Sequence, residues 1–452
     1  MSLTTPDKIR DLQIKLYRKA KNEPGYRFYQ LYDKVYREDI LLHAYHLAKA
    51  NEGAPGVDGE SFQDIESRGR EEWLNGLKKE LHEKRYKPQP VRRKMIDKPG
   101  GGERPLGIPT IRDRAAQTAA KLILEPIWEA DLEPNAYGYR PRKSAQDAIQ
   151  KVDELLHRGY TNIVDADLSK YFDTIPHSEL LQCVARRIVD GQMLHLIKMW
   201  IKAPVEERDA NGKRRITGGK DNDRGTPQGG VVSPALANLY MNRMLKGWRQ
   251  TRRGEQYRAH IVNYADDFVI LSHGKAKEAL EWTREVLERL DLTLNEKKTS
   301  LRNARQERFD FLGYTFGPHI HPRDGGEYIG YSPSDKSVGR IKQKVGELLD
   351  VRNGAPWEEI CQQLNRKLRC AKQPSGTDAE TNGIPRGWQQ YFHCGSKGRA
   401  YKAVDEYVYD RVRNFLRRRH KVSSQGTRQF SSERVYGSLG VFRLQGPRAA
   451  RA

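Results

Sequence analysis

The first 70 residues or so carry apolar positions at helical spacing, with Ile40, Leu41, Ala44, Tyr45 and Leu47 forming a stripe, until Gly53 to Gly59 interrupts it. A second helix is expected from about Glu71 to His82. KPQPVRRKMIDK then reads as extended, and the glycine run Gly100 to Gly102 before ERPLGIPT predicts a hairpin with Lys98 and Arg104 near its tip. IRDRAAQTAAKLILEPIWEADL has a helical pattern and PNAYGYRPRKS is a loop. Thr161 to Asp167 is short, apolar and β-branched, so it predicts a buried strand ending at an acid, with a helix in HSELLQCVARRIVD after it. GTPQGGVVSPALANLYMNRML predicts a glycine-rich turn entering a helix from about Ser233 to Leu245. HIVNYADDFVILS is apolar on both sides of Ala265-Asp266, the pattern of strand, tight turn and strand. From about Asp335 the chain turns to long basic amphipathic helices interrupted by KQPSGTDAETNG. One of them places Tyr401, Val404, Val408, Val412 and Phe415 on one face and ends in the run Arg417 to Lys421. The closing segment from Gln425 is basic, and its composition suggests a partly disordered tail.

Charge narrows the partners. Lys and Arg number 81 against 59 Asp and Glu, a net +22 over 452 residues, which points to a polyanion. No stretch approaches the roughly 18 apolar residues of a spanning helix, and MSLTTPDKIRDLQIKLYRKA lacks an apolar signal core, so a cytosolic protein with no membrane partner is expected. Cys183, Cys361, Cys370 and Cys394 form no Cys-x-x-Cys pair, which argues against a disulfide framework or a structural zinc site. There is no phosphate-binding Gly-x-x-x-x-Gly-Lys-Ser/Thr loop, and His319 and His321 read as solvated.

Two adjacent acids in an apolar hairpin, Asp266 and Asp267, raise each other's pKa where the turn packs against protein. A divalent cation removes that cost, and magnesium suits it because it takes one or two carboxylates and completes its shell with water and phosphates. Asp167 ends another apolar strand far upstream. If the two strands neighbour each other, three carboxylates converge in the outline of a two-metal site for attack of a 3′-hydroxyl on an α-phosphate. An Asp-Asp pair alone is more often solvated turn chemistry. Asp165 and Asp173 read as structural, the first taken to alternate away from Asp167.

VDADLSKYFDTIPH, RGTPQGGVVSPALANLYMN, YADD, LNEKKTS and FLGYTF, in that order, resemble the palm of a reverse transcriptase of the group II intron family. KPGGGERPLGIPTIRDRAAQ and NAYGYRPRKSAQDAI precede them, and GWQQYFHCGSKGRAYKAVDEYVYDRVRNFLRRR resembles the family's thumb and maturase domain. The resemblance implies an α+β right-hand polymerase with fingers, an antiparallel-sheet palm and a helical thumb. Its expected divisions are an N-terminal extension over 1–70, fingers and palm over 71–320, thumb and maturase (X) domain over 335–425, and a short basic tail over 426–452 as a possible DNA-binding remnant.

Carried over by position, Asp167, Asp266 and Asp267 would be catalytic and, with the Leu168 carbonyl, hold two Mg2+ ions, for which Mn2+ could substitute. Lys98 and Arg104 would clamp the triphosphate. Phe172 would lie under the sugar and exclude a 2′-hydroxyl, although Tyr171 and Phe172 also read as core. Gln228 would lie beside the nucleotide, Lys298 (or neighbouring Lys297) would meet the triphosphate, and Phe311, Leu312, Gly313 and Tyr314 would form the primer grip. The implied partners are a group II intron RNA, an RNA template with a DNA primer, dNTPs and target DNA. Action on DNA implies association with a bacterial-type nucleoid. Longer relatives end in a nuclease domain that this sequence lacks, which implies priming from another end such as a nascent strand. Two alternatives stay open: a domesticated free-standing relative in DNA repair or phage defence, and an RNA-binding splicing cofactor without polymerase activity.

Overall fold

The computed structural model describes residues 4–97, 103–208, 213–219, 221–321, 324–369 and 387–446. Several helices start at side-chain caps. Thr110 accepts from the Asp113 amide to start the helix Ile111–Glu129, Ser144 and Asp147 form a capping box for Ala145–His157, and Ser334 caps Asp335–Leu348. Three sheets lie among the described residues. In the fingers, β1 (Val91–Asp97) pairs antiparallel with β2 (Glu103–Ile108), the expected hairpin. Pro105 is tolerated there because β2 is an edge strand.

The central sheet builds the site. Its members are β3 (Asn162–Asp167), β6 (Ala259–Tyr264), β7 (Asp267–Ser272) and β8 (Ser300–Asn303), in the order β6-β7-β3-β8 with antiparallel neighbours. Between β3 and β6 in the chain lie β4 (Val205–Arg208) and β5 (Arg214–Thr217), which extend the fingers hairpin to four strands through a parallel β1–β4 contact. The sequence pattern missed this pair because its strands are short and mostly polar.

Both faces of the central sheet are covered, so its strands read as apolar runs. Val164, Ala166, Ile261, Phe268 and Ile270 join one core with the helices Ser233–Gln250 and Ala276–Arg289 and the N-terminal helices. Ile163, Val262, Val269 and Leu271 join a second core with Ala145–His157 and the thumb. A three-stranded sheet bridges palm and thumb, made of β9 (Phe309–Phe311), β10 (Tyr314–Ile320) and β11 (Glu327–Pro333) in the order β11-β10-β9. The thumb follows as Asp335–Leu348, Trp357–Leu368 and Gly398–Arg419, with the expected apolar face of the last buried.

The expected tail behaves differently over its described part. Phe430, Val435, Val441 and Leu444 are buried in the thumb core. The buried Asp405 accepts from the amides of Leu444 (2.9 Å) and Gln445 (3.1 Å), and Asn365 bonds Gly440 and Phe442. A few apolar anchors and paired backbone groups therefore order a segment whose composition suggested disorder. Residues 447–452 lie outside the described part. Among the described residues, no helix is long and apolar enough to cross a membrane.

Leu444→Ala is expected to cost about 2–5 kcal/mol, the range for truncating a buried leucine, measured by urea denaturation. A loss below about 0.5 kcal/mol, the range of ordinary surface substitutions, would contradict the docking of this segment.

Candidate active site

The carboxylates converge through strand register. β3 and β7 pair so that Asp167 stands directly opposite Asp267, and Tyr264 closes the β6–β7 hairpin against Asp267 from the other side. Directly opposed residues of antiparallel strands project from the same face. Asp266 occupies the two-residue turn with Ala265, whose φ of 60° is in the left-handed region. That conformation costs about 1–2 kcal/mol outside glycine, and it is held from behind. Asn263 donates to the Ala265 carbonyl (2.8 Å), Tyr137 N bonds Asn263 O (2.8 Å), and a Cβ on Gly138 would stand 2.5 Å from Ala265 N. Gly138 is fixed in turn by Asn238, which donates to its carbonyl at 2.6 Å. The NAYGY loop is thus the bracket of the YADD turn.

Asp165 needs correction. Residues two apart in a strand share a face, so Asp165 points with Asp167, not away from it. Burial pushes its pKa up to about 6, with Asp310 and Asp167 adding to the rise and Arg302 and Lys336 opposing it. Asp267 is exposed at the mouth of the strand and lines the cleft. Loss of water around the carboxyl, followed by the charges of Asp266, Asp167 and Asp165, pushes its pKa up to about 7 against the pull of Lys298.

Asp167 is held by neighbours from the LNEKKT segment. Asn295 donates to its Oδ2 (3.2 Å) and Lys298 Nζ lies 3.1 Å from the same oxygen, while the Asp167 carbonyl accepts from Asn295 N at 2.8 Å. Of the two lysines, Lys298 is therefore the one beside the acid. Leu168 is buried and bridges to Leu294. Phe172 is 5% exposed and belongs to the main core, and its carbonyl accepts from Thr226 N (2.7 Å). Gln228 donates to both oxygens of Asp173 at 3.2 Å, and its carbonyl accepts from Gly107 N (2.5 Å), which ties the glycine-rich loop to the fingers strand β2. Arg104 lies in β2 opposite Ile96, its side chain outside the described set, and Lys98 lies outside the described residues. Phe311 and Tyr314 pair across a turn in which Leu312 (φ 49°) and Gly313 (φ 79°) are both left-handed, as a type I′ hairpin requires.

Asp173, Asn295 and the loop support from Gln117, which accepts from Val231 N at 2.8 Å, were not singled out as site residues by sequence reasoning. Asn295 had a signal, since it lies within the same short motif as Lys298. A cavity of about 2000 Å³ reaches from Asp267 and Lys298 to the N-terminal helix Asp7–Asn22, past Arg114, Lys121, Arg140, Arg142 and Lys143. Among the described residues no three acid, histidine or cysteine side chains are drawn tightly around one point. Asp167 and Asp267 nevertheless stand opposite each other beside a basic trough, oxygen donors of the kind a hard divalent cation takes.

An antiparallel palm with an acid at a strand end facing an acidic hairpin turn, fed by a basic cavity, defines a right-hand polymerase. Residues 96–316 match the family Reverse transcriptase (RNA-dependent DNA polymerase), and residues 376–432 match Group II intron, maturase-specific domain. Protein YkfC of Escherichia coli (strain K12) is 35% identical over 343 residues, covering 68% of this chain and 87% of that protein. Group II intron-encoded protein LtrA of Lactococcus lactis subsp. cremoris is 29% identical over 352 residues, 64% of this chain and 56% of LtrA, so the chain spans little more than half of that relative. Apo telomerase from Candida Tropicalis truncated from C-terminal domain aligns over 53% of this chain and 55% of that chain, at 13% identity and a TM-score of 0.39, too loose a likeness to carry weight. The chain belongs to the group II intron reverse transcriptase and maturase family.

A carboxyl whose native pKa lies above its unfolded value near 4 binds more protons when folded, so its contribution falls as pH rises through about 4 to 7. Asp267→Asn is therefore expected to raise the thermal midpoint of chelator-treated protein, with a gain that grows from pH 5 to pH 8 and shrinks on adding Mg2+. Melting curves at the two pH values check this, and a variant less stable than its parent at pH 8 would contradict it.

Proposed function

We propose that this protein copies RNA into DNA, extending a DNA primer on an RNA template with dNTPs, and that it binds a group II intron RNA whose splicing it assists and whose copy it delivers to target DNA. The observation that carries the reading is the register of Asp167 against Asp267 with Asp266 in the adjoining turn. Asp167, Asp266 and Asp267, with the Leu168 carbonyl, would hold two Mg2+ ions. When bound, such ions lower the pKa of a 3′-hydroxyl and stabilise the leaving pyrophosphate.

The chain's own groups do the rest. Asn295 keeps Asp167 oriented through its carboxylate and its carbonyl. Lys298, within hydrogen-bond distance of Asp167, is placed to meet the triphosphate and to hand a proton to the leaving group. Gln228, held by Asp173 and by the fingers strand, presents the glycine-rich loop to the nucleotide, and Lys98 and Arg104 would supply charge-assisted bonds to the phosphates. Phe172 lies below the sugar and makes the pocket too shallow for a 2′-hydroxyl. The basic cavity follows template and primer phosphates, so binding weakens steeply with salt.

Asp266→Ala is expected to abolish nucleotide incorporation in a primer-extension assay while RNA binding by filter retention stays near the parental level. Full polymerisation by the purified variant would overturn the site assignment. Phe172→Val is expected to raise ribonucleotide incorporation relative to deoxynucleotide. Valine is chosen because Phe172 is also core, and truncation of a buried phenylalanine to alanine costs about 3–5 kcal/mol. Unchanged discrimination would remove the gate role.

A further inference from the structure

The turn between β9 and β10 is fixed from outside the palm. Its two central residues, Leu312 and Gly313, both sit at positive φ, and each of their carbonyls is held by a hydroxyl from the thumb side. Tyr391 Oη donates to the Leu312 carbonyl at 2.9 Å. Ser337 Oγ donates to the Gly313 carbonyl at 2.9 Å, alongside the Ser334 amide at 2.9 Å. The contact is reciprocal, since Tyr314 Oη donates to the Tyr391 carbonyl at 2.8 Å and Gln146 Nε2 approaches the same carbonyl at 3.2 Å.

These two residues come from separate parts of the thumb. Ser337 is buried in the first turn of Asp335–Leu348, while Tyr391 ends the short helix Trp388–Tyr391 far along the chain. Tyr391 and Tyr264, which closes the catalytic hairpin opposite Asp267, both pack against the core that palm and thumb share, so one half-buried side chain ties the β9–β10 turn to that core. Gly313 leaves little slack. A Cβ there would stand 3.0 Å from Ser337 Oγ and 3.4 Å from the Phe392 ring.

We propose that Tyr391 and Ser337 are positioning residues that clamp the Leu312–Gly313 turn, so that the thumb sets where the primer's 3′ end meets Asp267. The proposal rests on the polymerase reading above and adds to it a mechanical route: the thumb, closed on a duplex, orients the turn through two carbonyl hydrogen bonds. A peptide plane held by its oxygen cannot rotate without breaking that bond, and misplacing a reacting atom by about 1 Å costs on the order of a hundredfold in rate.

The test uses full-length protein with an RNA template and an annealed DNA primer. Tyr391→Phe keeps the ring and removes only the donor. It is expected to slow single-turnover addition of the first deoxynucleotide about tenfold, the worth of one well-placed hydrogen bond. Primer-template Kd, measured by fluorescence anisotropy, should stay at the parental value and the thermal midpoint should fall by no more than a few degrees, with a larger added penalty for a mismatched primer terminus. A merely structural role would not move rate and terminus discrimination while leaving affinity alone. An unchanged addition rate, or a weaker Kd with an unchanged saturated rate, would overturn the clamp. Should Tyr391→Phe fail to fold, Ser337→Ala carries the same expectations and the same contrary results. Parental protein that fails to extend the primer at all would instead remove the polymerase reading on which the clamp depends.

Discussion

The structure depends on the hydrogen-bonded register between β3 and β7. Those strands pair Ile163 with Leu271, Val164 with Ile270 and Asp165 with Val269 before they bring Asp167 to Asp267. Burying the apolar pairs on two faces offsets the repulsion gathered at the end of the strands. A slip of one residue would turn Asp167 and Ile163 together toward the core of Ala166 and Phe268 and bring Ala166 to the face where Asp167 now stands. Fold and chemistry are thus fixed by the same alternation.

The acidic end of the sheet is costly in three ways that the surroundings absorb. Like charges crowd Asp267, a left-handed Ala265 sits in the turn, and Asp165 is half-buried on the same face. The opposing contacts come from sequence-distant segments: the NAYGY loop behind the turn, Asn295 and Lys298 on Asp167, Asp173 beside Gln228. Stability is spent where charge must later be neutralised by ligand, a pattern expected of sites that bind cations and phosphates.

Much of this was legible in the residues. Short β-branched runs marked β3 and the YADD hairpin, and glycine clusters marked the fingers hairpin and the loop before Ser233, because those signals are local. Legibility failed where the deciding contact was distant. Asp165 was set aside through a misjudged strand parity that the register corrects. The segment after Gln425 looked too polar to fold, since Asp405 and Asn365, which receive its backbone, cannot be matched to it by composition. Tyr391 carries no local signal of its role, because the Leu312 carbonyl that its hydroxyl bonds lies 79 residues away in the chain. Phe172 keeps two roles at once, as core residue and as the floor offered to a sugar, and only its offset from Asp167 pointed to the second.

The central claim is that acids from two remote stretches of chain share the same divalent ions. Iron-mediated cleavage tests it most directly: Fe2+ is exchanged into the Mg2+ site of the primer-template-bound protein, peroxide and ascorbate are added, and the backbone cuts are mapped. The account predicts two clusters of cuts, one beside Asp167 and one beside Asp266 and Asp267, both suppressed by excess Mg2+. Cuts confined to one of these stretches, or scattered without competition by Mg2+, would contradict it.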